Sequence, residues 1–134
     1  MKYMLDTNIC IYIIKKKPAQ VFNTFKKLAL GDVAISAITL AELEYGIEKS
    51  KYPERNKIAL TAFLAPIEII PFSEKAATTY GRIQANLEKQ GKIIGAYDLM
   101  IGAHALAEKL ILVTNNVREF ERIPNLSIEN WITC

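Results

Sequence analysis

Short apolar runs alternate along the chain with longer segments in which apolar residues recur every three or four positions. Runs of the first kind are typical of buried strands, and segments of the second kind are typical of amphipathic helices. The first run, residues 3–5, is followed at once by the polar residues Asp6, Thr7 and Asn8. Further strands are predicted at residues 33–35, 67–72 and 110–113, with a short last strand at 126–128.

Helices are predicted between these runs. The first starts near Asn8 and ends near Ile14. The second starts at Pro18 and ends at Gly31, a residue type that often caps helix C-termini. The interior of segment 95–109 is almost wholly small or apolar, which predicts a buried helix. Three other amphipathic helices are predicted at residues 38–49, 53–65 and 73–91.

This alternation of strands and helices is typical of an α/β fold with right-handed crossovers. We expect a central, mainly parallel, twisted sheet of four to five strands, with helices flanking both of its faces. The chain has 134 residues, which is enough for one compact core and too few for two. We therefore expect a single domain over residues 1–134.

Composition narrows the class of protein. No apolar run approaches the roughly 18 residues that a membrane helix needs, and the N-terminus lacks the pattern of a secretion signal. We therefore expect a cytoplasmic protein that does not act at a membrane. Cys10 and Cys134 form no paired framework and are expected to be reduced thiols. The single histidine, His104, excludes His-rich zinc sites and is expected to serve in packing or at an interface.

The formal net charge of +3 is compatible with a polyanionic partner such as nucleic acid. Three lysines, residues 15–17, follow the first predicted helix directly, and further basic residues lie in later helices. The same residues would also form an ordinary solvated surface. Charge alone leaves both interpretations open.

Acidic residues are the remaining candidates for chemistry. Asp6 ends the first strand, and the carboxyl ends of parallel strands are where α/β proteins bind ligands, although Asp6 could also simply cap the helix that follows. Asp98 stands in the first turn of the buried helix, where a carboxylate must be paired, hydrogen-bonded or metal-bound. Ser36 and Thr114 each follow a strand directly, so we expect them at the same edge of the sheet.

Spacing does not choose between neighbouring glutamates. Glu42 and Glu44 lie on different strips of one predicted helix, and each could be an ordinary solvated residue. Spacing likewise does not decide whether Glu119 or Glu121 is the candidate acid in its segment.

Several of these acids can nevertheless meet at one edge of the predicted sheet. Carboxylates gathered in one cleft repel one another and raise each other's pKa unless a cation neutralises them. An oxygen-only set of ligands favours a hard ion such as Mg²⁺ or Mn²⁺.

Four ordered motifs are spread over residues 5–120: LDTN at 5–8, SAITLAELEYG at 36–46, IGAYDLMI at 94–101 and VTNNVREF at 113–120. In this order and at these separations they resemble the PIN-domain ribonucleases, specifically the VapC-type toxins of bacterial toxin-antitoxin pairs. The resemblance runs essentially from end to end and implies a PIN-like fold for the whole chain.

Residue by residue, the resemblance implies that Asp6, Glu42 and Asp98 are catalytic acids, with Asp6 and Asp98 as ligands of Mg²⁺ or Mn²⁺. Asn116 stands where many relatives place a fourth acid, so Glu119, one helical turn further along, would supply that acid instead. The supporting positions would be Thr7, Asn8, Thr114 and Asn116.

The resemblance also implies a Mg²⁺-dependent endoribonuclease that cleaves structured RNA, with tRNA prominent among substrates, and inhibits translation. A small VapB-type antitoxin would neutralise it, and the toxin would form a homodimer within a higher toxin-antitoxin assembly. Tyr45, Tyr80 and Tyr97 are candidates either for stacking on RNA bases or for the core.

Two alternatives belong to other functional classes. The first is a PIN scaffold with weakened chemistry that binds RNA or protein, which only Asn116 favours. The second is a phosphotransfer domain with Asp6 as a phospho-aspartate nucleophile. Asn8 argues against the second alternative, because phosphatases of that kind need an acid at its position.

Overall fold

Five parallel strands form the central sheet of the computed structural model, which describes residues 1–29 and 31–132. The order of the strands is β3-β2-β1-β4-β5, and every pairing is parallel. The predicted α/β fold with a central parallel sheet is therefore confirmed. The strands are β1 (Tyr3–Leu5), β2 (Val33–Ser36), β3 (Glu68–Ile70), β4 (Ile111–Val113) and β5 (Ile128–Glu129).

Strand β1 lies at the centre of this sheet. Its register places Met4 beside Ala34 of β2 and Leu5 beside Val113 of β4. All three residues of β1 are buried, as expected for a central parallel strand covered on both faces. The backbone N–H of Asp6 donates a 3.0 Å hydrogen bond to the carbonyl of Val113, so the chain leaves β1 alongside the end of β4.

Seven helices accompany the strands within the described residues. Six correspond to predicted helices, whereas the seventh, a single turn after β4, lies where the sequence predicted no helix. Side chains of Asp6, Ser36 and Ser73 cap three of the helix N-termini. The helices are α1 (Thr7–Lys15), α2 (Ala19–Lys26), α3 (Ala37–Glu48), α4 (Pro53–Leu64), α5 (Glu74–Lys89), α6 (Ala96–Ala107) and α7 (Val117–Phe120).

The second helix is shorter than the sequence predicts. It ends at Lys26 with Lys27 as its C-cap, so the prediction that Gly31 ends it is wrong. Gly31 has a φ of +89° and lies in the turn before Asp32, whose carbonyl accepts a hydrogen bond from the N–H of Tyr3. Gly31 therefore adopts its positive φ, which glycine tolerates, in the turn that leads into β2 and not at the C-terminus of α2.

The bounds of the two edge strands differ most from the prediction, whereas β2 and β4 each differ by one residue. β3 occupies only the middle of the predicted 67–72 stretch, and β5 extends one residue beyond the predicted 126–128 stretch while starting two residues later. Both strands lie at the edges of the sheet. An edge strand pairs with a neighbour on one side only, so its ends are free to turn away from the sheet.

Two hydrophobic clusters cover the two faces of the sheet. Tyr3 and Leu5 belong to the first cluster, together with α1 to α4. Met4 points the other way and belongs to the second, together with α5 and α6. Helix α6 buries most of its residues, which confirms the prediction of a buried helix. The prediction of helices on both faces is likewise confirmed.

Within residues 1–29 and 31–132, none of the helices has the length and apolar character needed to span a bilayer. Cys10 is a buried free thiol, as predicted. The corresponding prediction for Cys134 lies outside the described residues.

Candidate active site

Asp6 lies directly after β1 and exposes only 4% of its surface. Its Oδ1 accepts a 2.9 Å hydrogen bond from the N–H of Ile9, so the residue does cap α1. Burial raises the pKa of the Asp6 carboxyl, and the charge of Glu42 adds to the rise, whereas hydrogen bonds from the Thr114 hydroxyl and from the amides of Ile9 and Asn8 lower it. Because a carboxylate has about four acceptor positions, capping leaves Asp6 able to bind a further group.

Glu42 faces the N-terminus of α1. The Thr7 hydroxyl donates a 2.6 Å hydrogen bond to Oε1 of Glu42. Glu44 lies on another side of α3, where its carboxylate pairs with the ammonium of Lys57 on α4 at 2.5 Å. The orientation of α3 therefore brings Glu42 to the site and leaves Glu44 on the surface, a choice that helical spacing left open.

Asp98 lies in the first turn of the buried helix α6 and is itself half-buried. Burial raises the pKa of Asp98 to about 6, and the charges of Glu119, Asp6 and Glu42 contribute to the rise, as does a hydrogen bond with Glu119. Four acids that are far apart in the sequence therefore interact electrostatically at one edge of the sheet.

Glu119 is held next to the N-terminus of α6. Its Oε1 accepts a 3.1 Å hydrogen bond from the N–H of Gly95, and its Oε2 accepts a 2.5 Å hydrogen bond from Nδ2 of Asn116. The N–H of Asn116 donates to the Thr114 hydroxyl at 3.0 Å. A Cβ added to Gly95 would lie 3.9 Å from Glu119 Oε1 and 4.0 Å from Asp98 Oδ2, so this glycine lies between the two carboxylates.

Ser36 does not join the acids. Its hydroxyl oxygen accepts a 3.0 Å hydrogen bond from the N–H of Ile38 and lies 2.8 Å from Nδ1 of His104. Both Ser36 and His104 are fully buried. Ser36 ends β2 and so lies at the expected edge of the sheet, but its described hydrogen bonds go to Ile38 and His104 rather than to the acids. A fully buried histidine needs a polar partner, and the Ser36 hydroxyl provides one at Nδ1. Asn8 is exposed, and it hydrogen-bonds Asp6 through its backbone N–H.

The donors gathered here suit a hard divalent cation. They are carboxylate, hydroxyl and amide oxygens, and a cation would relieve the repulsion that raises the pKa of Asp98. Over the part of the chain that the structure describes, no three His, Cys, Asp or Glu side chains form a ready-made metal cage. Mg²⁺ is commonly held by one or two carboxylates, with water and substrate phosphate as its other ligands. Two acids therefore suffice for such a site.

Comparison with known proteins shows the family to which the chain belongs. Residues 3–126 match the family described as the PIN domain. The chain is also 53% identical to Ribonuclease VapC2 of Rickettsia felis (strain ATCC VR-1525 / URRWXCal2). The alignment runs over 132 residues and covers 98% of each protein. The chain belongs to the PIN-domain family of VapC ribonucleases.

A second relative and a crystal structure extend this similarity. The tRNA(fMet)-specific endonuclease VapC of Shigella flexneri is 49% identical over 131 residues, 98% of each chain. The crystal structure of VapBC2 from Rickettsia felis, bound to a DNA fragment from their promoter, matches with a TM-score of 0.92 and 51% identity over 98% of this chain and 100% of that chain.

Membership of the PIN-domain family confirms both the predicted fold and the predicted nuclease class. It sets aside the phosphotransfer alternative, which belongs to a different family of folds. In this PIN domain the four acids come from the N-terminus of α1, from α3, from α6 and from α7, so the topology of the sheet itself assembles them.

Proposed function

We propose that this chain is a Mg²⁺-dependent endoribonuclease that cleaves structured RNA and inhibits translation in the cytoplasm. The observation that carries the proposal is the convergence of Asp6, Glu42, Asp98 and Glu119, expressed in the raised pKa of Asp98. The name of the Shigella flexneri relative, 49% identical, supports tRNA, and initiator tRNA in particular, as the substrate. In this proposal all 134 residues act as one PIN domain.

Asp6 and Asp98 would hold the ion, and Mn²⁺ could replace Mg²⁺ because both prefer oxygen ligands. When bound, the ion supplies charge neutralisation at the phosphate and lowers the pKa of a water. Thr7 fixes Oε1 of Glu42, which leaves Oε2 of Glu42 to accept a proton or a hydrogen bond. Glu119 is held next to the N-terminus of α6 by hydrogen bonds from Gly95 and Asn116.

Cleavage of an initiator tRNA transcript tests the roles of these acids. We expect the wild-type protein to cleave the transcript in Mg²⁺ and to lose this activity in excess EDTA. Asp6→Asn and Asp98→Asn should each lower the cleavage rate by about a hundredfold or more, which is the usual effect of removing a group that stabilises transition-state charge. Glu42→Gln and Glu44→Gln form a matched pair on α3, of which only the first should lose activity. Full activity of Asp6→Asn, or of wild type in EDTA, would overturn the proposal.

A VapB-type antitoxin is the proposed protein partner, since the similar Rickettsia felis structure is that of VapBC2. An apolar groove of about 330 Å³ between α1, α3 and α4 offers a surface for apolar antitoxin side chains. Its aliphatic lining includes Ile11, Ile14, Leu43, Ile47 and Leu60. We propose a homodimer of the toxin within a higher toxin-antitoxin assembly.

Co-expression with the product of the neighbouring reading frame tests this partner. A stable complex with lowered ribonuclease activity is expected, and light scattering of the toxin alone should give the mass of a dimer. Free toxin that elutes as a monomer beside the unbound product would contradict both parts of this proposal.

A binding module with weakened chemistry is the second candidate. Asn116 favours it, because the amide bonded to Glu119 carries no charge at a position where many relatives place an acid. Mg²⁺ titration of the melting temperature separates the two candidates, since a ligand stabilises the folded state by mass action. We expect a rise in wild type that is lost in Asp98→Asn. RNA binding without any rise or any cleavage would favour the binding module.

A further inference from the structure

Two exposed tyrosines lie next to the candidate acids. Tyr45 follows Glu42 by three residues on α3, so the two share a face of the helix. Tyr97 directly precedes Asp98 on α6. Their side chains are unusually open for aromatic residues, with 65% of Tyr45 and 59% of Tyr97 exposed. Tyr80, by contrast, packs against the second hydrophobic cluster.

Both exposed tyrosines line a single pocket of about 330 Å³ together with Thr7, Ala41 and Glu42. Thr7 and Glu42 are the hydrogen-bonded pair of the candidate active site, so the pocket borders that site at Glu42. Its volume is within the range of roughly 300–1,000 Å³ that is typical of small-ligand sites.

The lining of this pocket differs from that of the apolar groove, although Glu42 borders both. The groove is lined mainly by aliphatic side chains, whereas the pocket is aromatic and polar. Nucleobases stack on aromatic rings whatever their sequence, because every base has a π-face. The ammonium of Lys49 lies 5.2 Å from the centre of the Tyr45 ring, so a positive charge that can attract a nucleotide phosphate lies next to this ring.

We propose that Tyr45 and Tyr97 form a subsite for an unpaired nucleobase next to the scissile phosphate of the RNA. This inference rests on the proposed ribonuclease function and deepens it by naming the part of the substrate that the site recognises. Stacking on a side chain requires a base that has left the helical stack. The subsite therefore selects RNA in which a base beside the cleaved bond is unpaired.

Binding of a short single-stranded RNA that contains one 2-aminopurine base tests the subsite in EDTA, without any cleavage. Stacking on tyrosine is expected to quench the fluorescence of the base. Tyr45→Ala and Tyr97→Ala should each weaken binding about 5- to 150-fold, the fold-change that corresponds to loss of one base-aromatic stack. The Phe variants at both positions should stay close to wild type, because they keep the ring.

Tyr52→Ala is the matched control. Tyr52 is 52% exposed and has the ammonium of Lys51 at 5.5 Å from its ring, but it lies at the start of α4, outside the pocket. The Tyr52→Ala variant should bind RNA like wild type. An equal loss in Tyr52→Ala would overturn the proposal, because the effect would then belong to the surface in general.

Cleavage of initiator tRNA by the same variants separates this inference from the proposed function. If wild type cleaves while both Tyr→Ala variants bind and cleave normally, the subsite is wrong and the ribonuclease assignment stands. If wild type does not cleave but tyrosine-dependent quenching is seen, the subsite stands and the ribonuclease assignment fails. Normal RNA binding by Tyr45→Ala or Tyr97→Ala, combined with loss of the antitoxin complex or the dimer, would show a protein interface and overturn the proposal.

Discussion

The hydroxyl of Thr7 donates a 2.6 Å hydrogen bond to Oε1 of Glu42 across 35 positions of sequence. The bond joins the first turn of α1, which directly follows the central strand β1, to Glu42 in the middle of α3. It fixes one oxygen of the carboxylate and thereby the direction of the other.

Removal of this bond should lower kcat more than it raises KM. Thr7→Val keeps the shape of the side chain but cannot donate, and a hydrogen bond to a charged group contributes about 1.5–3 kcal/mol, so we expect kcat to fall about tenfold or more. Thr7→Ser keeps the hydroxyl and should retain most activity. Steady-state kinetics on an RNA substrate measure both variants, and equal kcat for Thr7→Val and wild type would contradict a positioning role.

Replacement of Asp98 should stabilise the metal-free protein while it abolishes activity. The folded state holds Asp98 among like charges with a pKa of about 6, so at pH above that value the ionised group opposes folding. Asp98→Asn removes the charge. We expect a gain of about 1 kcal/mol in EDTA near neutral pH, discounted because the group is half-exposed, or a melting temperature higher by about 2–4 °C.

Differential scanning calorimetry in EDTA measures this gain, with Glu121→Gln as an acid-to-amide control at an exposed position. Excess Mg²⁺ should reverse the order of stability, since the wild type then gains a ligand that the variant has lost. A lower melting temperature of Asp98→Asn in EDTA would show that the carboxylate is needed for folding.

His104 should make the protein sensitive to mild acid. Burial lowers the pKa of its imidazole, while the charge of Glu108 and the carbonyl of Pro71 partly oppose this shift; the Ser36 hydroxyl and the ring of Phe72 also contact it. The folded state thus favours the neutral ring, so its contribution to stability is complete above the ordinary pKa of 6.5 and is lost as pH falls below it. The limit for one proton is about 1.4 kcal/mol per pH unit.

Urea unfolding of wild type and His104→Gln in EDTA, at about pH 7.5 and about pH 5.5, isolates this effect. The other titrating groups are common to both proteins, so their contributions cancel in the difference. Wild type is expected to lose more stability on acidification than His104→Gln. An identical loss in the two proteins would mean that His104 does not account for the acid sensitivity.

The close packing of α6 at Gly102 should make alanine unfavourable there. An added Cβ would lie 2.5 Å from Cδ1 of Ile123 and 3.2 Å from the ring of Phe120. Overpacking costs about 1–3 kcal/mol, which exceeds the gain of up to about 1 kcal/mol from a better helix former. We therefore expect Gly102→Ala to lose about 1 kcal/mol in the free energy of unfolding.

Gly81→Ala is the matched control, since a Cβ at that position on α5 would meet nothing within 4 Å. It should gain about 0.5–1 kcal/mol, because the residue is helical and unobstructed. Denaturant unfolding measures both variants. A gain in Gly102→Ala as large as that in Gly81→Ala would mean that Ile123 and Phe120 move aside at no cost.

The sequence by itself determined most of the fold and the place of the first acid. Apolar runs, helical periodicity and capping residues depend on neighbours along the chain, so the strand after Met1 and the position of Asp6 at its end follow from local patterns. Local patterns failed at Gly31, because a helix cap and a turn favour glycine for the same reason, its access to positive φ. They also missed α7, which is too short to show a helical period.

Only the tertiary structure decided which side chains meet. Glu42 and Glu44 are equivalent by spacing, and α3 separates them by turning one toward Thr7 and the other toward Lys57. The rotation of a helix about its own axis is set by packing against elements distant in sequence, so no window of local sequence contains it. The same reason explains why the buried contact of Ser36 with a histidine 68 residues away emerged only from the folded chain.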